Sequence, residues 1–170
     1  MDSKVLNEMD KGKCLIMTYN PFVSRPETFT KLIEDYGCAN YRTPYYPDMD
    51  KFKPFRYFLV IFAKSGSNGA ITHWGIVDRT KSDRTDSFDK YESYYELAYS
   101  LAGDPEEKSF RSYFHFLQIC DFDSTLSVSG FKLLRTGVPI TSLRLLRNIL
   151  YAEFPRELLI LIDKSRGNRA

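Results

Sequence analysis

Apolar positions along the chain fall into short runs divided by polar breaks. KCLIMTY, residues 13 to 19, ends at Asn20-Pro21 and predicts a buried strand. Ser24-Arg25-Pro26-Glu27 has capping-box spacing with proline in the first turn, and predicts a helix through about Tyr36. Phe29, Leu32, Ile33 and Tyr36 then share one face, and Gly37 supplies the stop. Residues 38 to 55 hold three prolines and five aromatics without a period, and predict an ordered irregular loop. Two largely apolar runs, 56 to 64 and 70 to 78, flank SGSNG and predict a hairpin in the middle of a sheet covered on both faces.

Further on, DRTKSDRTDSFDK (78 to 90) predicts a surface loop and YESYYELAYSLAG (91 to 103) a helix with a tyrosine stripe. SYFHFLQICDFD is apolar on both alternating faces and predicts another central strand. Residues 126 to 142 predict a strand and a turn. SLRLLRNILYAEF predicts a helix capped by Thr141 or Ser142 and ended by Pro155, with Leu143, Leu146, Ile149 and Leu150 inward. ELLILID gives one more apolar run before the basic tail KSRGNRA. The order predicts an α/β (α+β) fold: a single domain over 1–164, with a curved mixed β-sheet or open barrel of about five to six strands and helices packed around it. Residues 165–170 are expected as tail or linker.

Composition narrows the function. In 170 residues the chain is 43% apolar and carries 12 Tyr and 13 Phe against one Trp, Trp74, so it is globular and aromatic-rich. The segment MDSKVLNEMDKGK has no apolar signal region and no run is long enough to span a membrane, which predicts a soluble, cytoplasmic protein. Cys14, Cys38 and Cys120 form no CxxC pair and read as core cysteines. Net charge is +2, but from Gly130 onward eight Lys/Arg face three Asp/Glu. That basic quarter is a candidate phosphate footprint, with Lys132, Arg135, Arg144 and Arg147 as backbone contacts.

Catalytic signatures are weak. No GxGxxG or GxxxxGK[ST] is present, no nucleophile sits in a GxSxG elbow, and His73 and His115 form no metal-binding pair. Asp48, Asp50 and Lys51 fit a nuclease motif poorly. The expectation is therefore a non-catalytic protein without metal or cofactor. Aromatic rings that stack unpaired bases, beside cations that hold phosphates, favour nucleic-acid binding, and a protein-interaction module is the alternative.

The wording of several segments resembles the PUA-like superfamily, and within it the YTH domain more than its EVE relatives. KCLIMTYN is similar to the first YTH strand and the polar turn after it. PETFTKLIEDYGCANYRT is similar to the next helix and the run that follows. YFLVIFAKSGSNGAITHWGIVD is similar to the family hairpin, SYFHFLQICDFD to a later strand, and LLRTGVPITS to a later polar segment. The resemblance covers about 13 to 150. It implies a reader that flips an N6-methyladenine-like base of DNA or RNA into an aromatic cage. Tyr41 would be a cage wall, Asn20 the polar contact, and Arg42 or Thr43 a backbone donor. The family's second cage tryptophan has no counterpart, so Phe110 or Tyr113, or a tyrosine from 91 to 99, would replace it. Trp74 is a further ligand candidate. It neighbours His73 on one strand, so only one of the two can face a pocket, and the family hairpin supplies sheet core. Such readers also serve McrB-type restriction enzymes, which implies a GTPase motor or nuclease as partner.

Overall fold

The computed structural model describes residues 2–19, 25–43, 47–84, 112–122, 126–141 and 149–167. After a one-turn helix α1 (Ser3–Asn7), capped where the Asp2 carboxylate accepts from the Lys4 amide, the chain enters β1 (Met9–Tyr19). Helix α2 (Pro26–Tyr36) follows, then β2 (Ala39–Thr43), the hairpin strands β3 (Tyr57–Lys64) and β4 (Ile71–Asp78), the two-residue β5 (Asp83–Arg84), β6 (Ser112–Asp121), β7 (Leu150–Glu153) and helix α3 (Arg156–Gly167). The sheet order is β2-β6-β4-β3-β1-β7, with β5 paired to β6. β1 and β3 run parallel and every other pair is antiparallel, and the edges β2 and β7 do not meet. The fold is thus the expected mixed, open, single-domain α+β sheet.

Alternation within the central strands sends side chains to two apolar layers, as expected for strands covered on both faces. One layer holds Cys14 and Ile16 of β1, Leu59 and Ile61 of β3, and Trp74 and Ile76 of β4, beneath Leu158 and Ile162 of α3. The other holds Leu15, Met17, Val60 and Phe62 beneath Phe29 and Leu32 of α2. His73 and Trp74 do point to opposite faces, since His73 packs edge-on against Tyr19 of the second layer.

α2 starts one residue later than the capping-box reading. Its N-cap is Arg25, without a side-chain cap bond, and Pro26 is the first helical residue. Gly37 ends it at φ +80°, its amide donating to the Ile33 carbonyl at 2.8 Å. Of the expected inward face, Phe29 and Leu32 are buried, whereas Tyr36 is 58% exposed.

Three expectations need correction. The 38 to 55 segment contains β2 and a single 3-10 turn at Met49–Phe52, because β6 offers an open edge that β2 completes. Leu150–Glu153 is a strand, not the end of a helix: it pairs antiparallel with Lys13–Ile16 and covers the free edge of β1. The apolar run after Pro155 is helical, with Leu158 and Ile162 one turn apart facing the core, and α3 continues through Gly167 past the boundary expected at 164. The expected helix at 91 to 103 and residues 142 to 148 lie outside the described residues.

Two local constraints stabilise the hairpin. A Cβ at Gly75 would lie 2.6 Å from the Phe116 ring and 3.0 Å from the Gln118 carbonyl, so only glycine lets β6 approach. At the strand ends, the buried Asp78 carboxylate accepts from Arg56 Nη2 at 2.8 Å and from the Thr80 hydroxyl and amide. Burial pushes the Asp78 carboxyl up, but the Arg56 guanidinium and Thr80 outweigh it and hold the group below the ordinary carboxylate value.

Gly75→Ala should lower the unfolding free energy by about 1–3 kcal/mol, the range for overpacking a rigid core, seen as a lower midpoint in urea. A carboxyl depressed in the folded state gives stability that is present above its unfolded pKa and lost as pH falls through the folded value. Stability should therefore fall below about pH 4, the unfolded carboxylate range. Asp78→Asn should weaken the protein at neutral pH and flatten that acid limb, as read by denaturation at several pH values.

Candidate functional site

The expected cage residues do not converge. Tyr41 is only 3% exposed, with its ring centroid 4.6 Å from Phe29, 5.5 Å from Phe62 and 6.0 Å from Phe116. A cage wall must offer a ring face to a ligand; Tyr41 instead seats α2 on the sheet. Trp74 is fully buried in the layer on the other side. Arg42 and Thr43 pair along β2 with Tyr113 and Ser112 of β6, and the Asn20, Phe110, Arg144 and Arg147 positions lie outside the described residues. Lys132 and Arg135 are both exposed, on the segment that bridges to Pro139 and turns at 134–136.

Arg135 does line a groove of about 690 Å³. Its floor is aliphatic, from Leu133 and Leu134 on the turn and from Ile149 and Leu150 at the start of β7; Lys51, Arg135, Thr136 and Tyr151 complete it. Backbone bonds hold the turn in place: the Gly137 amide donates to the Leu133 carbonyl and the Leu134 amide to the Tyr151 carbonyl. Lys51 is carried by the 3-10 turn, which is anchored where Phe52 stacks on Phe58 at 4.1 Å and 8°. The Lys51 ammonium lies 5.0 Å from the centroid of the Tyr151 ring, a cation–π contact, while its carbonyl accepts from Lys13 Nζ. The Asp48 amide donates to the Tyr151 hydroxyl. The site therefore combines two cations, one ring and an apolar floor. Lys51 had suggested only a poor nuclease motif and Tyr151 a helix, so Arg135 is the one groove residue marked by the basic C-terminal signal.

A polar cluster sits at the other end of β1. Phe62 pairs with His73 and Ala63 with Ile71, which leaves Thr72 as the extra residue of a β-bulge. The Thr72 hydroxyl consequently lies 2.7 Å from His73 Nδ1 and 2.9 Å from the Tyr19 hydroxyl. His73 Nε2 lies 2.7 Å from Asp121 Oδ1, the residue opposite in register on β6, and 3.6 Å from Glu27 Oε1 on α2. Burial above all raises the Tyr19 phenol; Glu27 and Asp121 add to it, and the Thr72 hydrogen bond and Arg25 oppose it. The phenol is thus held protonated.

The second histidine serves structure. His115 Nδ1 donates to Asn40 Oδ1 at 2.9 Å, and burial, helped by Lys81, depresses its pKa and keeps it neutral. Cys14 is buried at the centre of the sheet, where burial, with Asp10 second, raises its thiol far above the reactive range. Among the described residues no group of three histidine, cysteine or acidic side chains is arranged to hold a metal ion, and no helix is long and apolar enough to cross a membrane. No family model, curated protein or solved structure matches the chain.

Because Tyr41 packs rather than gates a ligand, Tyr41→Ala should cost about 3–5 kcal/mol of stability, the range for removing a buried ring. Chemical denaturation measures this; a true cage wall would leave the midpoint nearly unchanged.

Proposed function

We propose that the protein is a nucleic-acid-binding domain that seats an unstacked base on the aliphatic floor of the Lys51–Tyr151–Arg135 groove. The groove itself carries this reading: a ring for stacking, two cations placed for phosphate, and a volume within the range of small-ligand sites. Single-stranded segments fit it best, since a duplex would add the flipping cost of a few kcal/mol. A methylated base, N6-methyladenine above all, is the preferred ligand, and the similarity to YTH-like readers supports that choice. DNA ranks ahead of RNA on the likeness to restriction-system readers, with a GTPase motor or nuclease as the matching partner.

Methyl selectivity has a modest source here. The aliphatic floor supplies about 0.8 kcal/mol for one buried methyl group, which corresponds to about fourfold in affinity. A two-ring cage would have to involve residues other than Tyr41 and Trp74.

The test is fluorescence anisotropy with labelled single-stranded oligonucleotides, plain and N6-methylated. Trp74 is too deeply buried to report on the groove. Lys51→Ala and Arg135→Ala should each weaken binding of every oligonucleotide and reduce the slope of log K against log salt by about 0.7. Tyr151→Ala should weaken it by about 5- to 150-fold, as one lost base stack does. If oligonucleotides fail to bind at low salt, or bind all three variants as they bind the parent, the proposal fails.

A further inference from the structure

In an unbroken strand Thr72 and His73 would point to opposite faces of the sheet. The bulge in β4 sets them side by side instead, and the register of β4 against β6 brings Asp121 to the far nitrogen of the same imidazole. The resulting chain, Tyr19–Thr72–His73–Asp121, has oxygen–oxygen or oxygen–nitrogen separations of 2.9, 2.7 and 2.7 Å.

We propose that Thr72, His73 and Asp121 form a second site, a nucleophile–base–carboxylate relay that hydrolyses carboxylic esters with a neutral or cationic acyl group. This activity is separate from the nucleic-acid groove and does not rest on it. Nucleophilic relays of this kind are identified by geometry and roles, not by sequence order. The bulge does here what a strained turn does in an esterase: it re-aims a hydroxyl at a base.

The relay uses one donor pattern. The Tyr19 phenol donates to Thr72 Oγ1, the Thr72 hydroxyl donates to His73 Nδ1, and the Nε2 proton of the neutral imidazole faces Asp121. Thr72 Oγ1 can then attack an ester carbonyl. A bond forms between Oγ1 and the carbonyl carbon, the hydroxyl proton passes to Nδ1, and Asp121 stabilises the imidazolium. Collapse breaks the ester C–O bond, and Nδ1 returns its proton to the departing alkoxide. Water then attacks the acyl-threonine with His73 again as base, releasing the acid and restoring the Thr72 hydroxyl. Thr72 and His73 are the catalytic residues; Asp121 is a positioning residue.

Charge selects the substrate. Among the described residues Asp121 and Glu27, with side chains 62% and 59% exposed, border the imidazole and outnumber the single cation Arg25, so the approach is anionic and disfavours phosphodiesters. Thr72 itself is half-buried.

The experiment incubates the whole protein with p-nitrophenyl acetate, the p-nitrophenyl ester of glycine and p-nitrophenyl hemisuccinate. It follows p-nitrophenol release and maps the acylated residue by peptide mass spectrometry. The expected result is an acyl group on Thr72, with the glycine ester at least tenfold faster than the hemisuccinate relative to their rates in buffer. Thr72→Val should lose the release by at least 100-fold, within the usual range for catalytic groups, and Thr72→Ser should retain it. Asp121→Asn, at an exposed position, should leave circular dichroism unchanged and slow acylation at least tenfold. Among the described residues the groups facing His73 include Asp121 of β6, Glu27 of α2 and Tyr19 of β1, with Arg25 near Tyr19. Removing the Asp121 charge destabilises the imidazolium, so the rise of rate with pH should move to lower pH. Acylation only of surface lysines or tyrosines, release unchanged in Thr72→Val, or an Asp121→Asn rate equal to the parent's would each overturn the proposal.

Discussion

The parallel pairing of β1 with β3 buries the middle of the sheet on both faces, and most other features of the molecule are consequences of it. A parallel pair requires a crossover, here carrying α2 and β2, and that crossover covers one face with Phe29, Leu32 and Tyr41. α3 and the 126–140 segment cover the other. Strands so enclosed tolerate polar side chains only when these are paired. The buried polar residues therefore have identifiable partners: Asp78 with Arg56 and Thr80, His115 with Asn40, and Asp10 with the Gly12 and Lys13 amides at 2.8 and 3.0 Å.

Both candidate sites consequently lie at the rims. The cationic groove forms where β7 completes the β1 edge and the 134–136 turn folds over it. The Thr72 cluster forms where β1, β4 and β6 end together. Lys13, which holds the Lys51 carbonyl, and Tyr19, which holds Thr72, are six residues apart on β1, or about 20 Å along a strand. The two sites also carry opposite charge, cationic at Lys51 and Arg135 and anionic at Asp121 and Glu27. A polyanion drawn to the first is repelled at the second, so one small sheet can present two sites with different ligand preferences.

Residue patterns revealed the parts of the fold decided locally. β1, α2, the β3–β4 hairpin and β6 were legible because each combines an apolar period with a clear break, such as Asn20-Pro21 or Gly37. Residues 149 to 162 were not. Ile149-Leu150-Tyr151 and Leu158-Leu159-Ile160 are both short apolar runs, and what separates them is the open edge of β1, which recruits the first as a strand. The candidate sites were still less legible. The groove gathers a lysine from a loop expected to be irregular, an arginine from a turn and a tyrosine expected in a helix. Conversely, Tyr41 and Trp74 looked available as aromatic ligands, and only the topology shows that α2 and α3 cover them.

The bulge at Thr72 poses a sharper question than any of these, because it removes a residue from the ladder of a central strand. An extra residue left without a cross-strand partner is costly where both faces are covered. Part of that cost is offset locally: the Thr72 carbonyl accepts from the Phe122 amide at 2.9 Å, and the hydroxyl is held between Tyr19 and His73. A regular strand would need neither bond and would leave Thr72 and His73 on separate faces. Structural economy alone thus favours the regular strand. The bulge is better understood through what it makes possible, which is a hydroxyl, an imidazole and a carboxylate, each 2.7 Å from the next, at the end of the sheet.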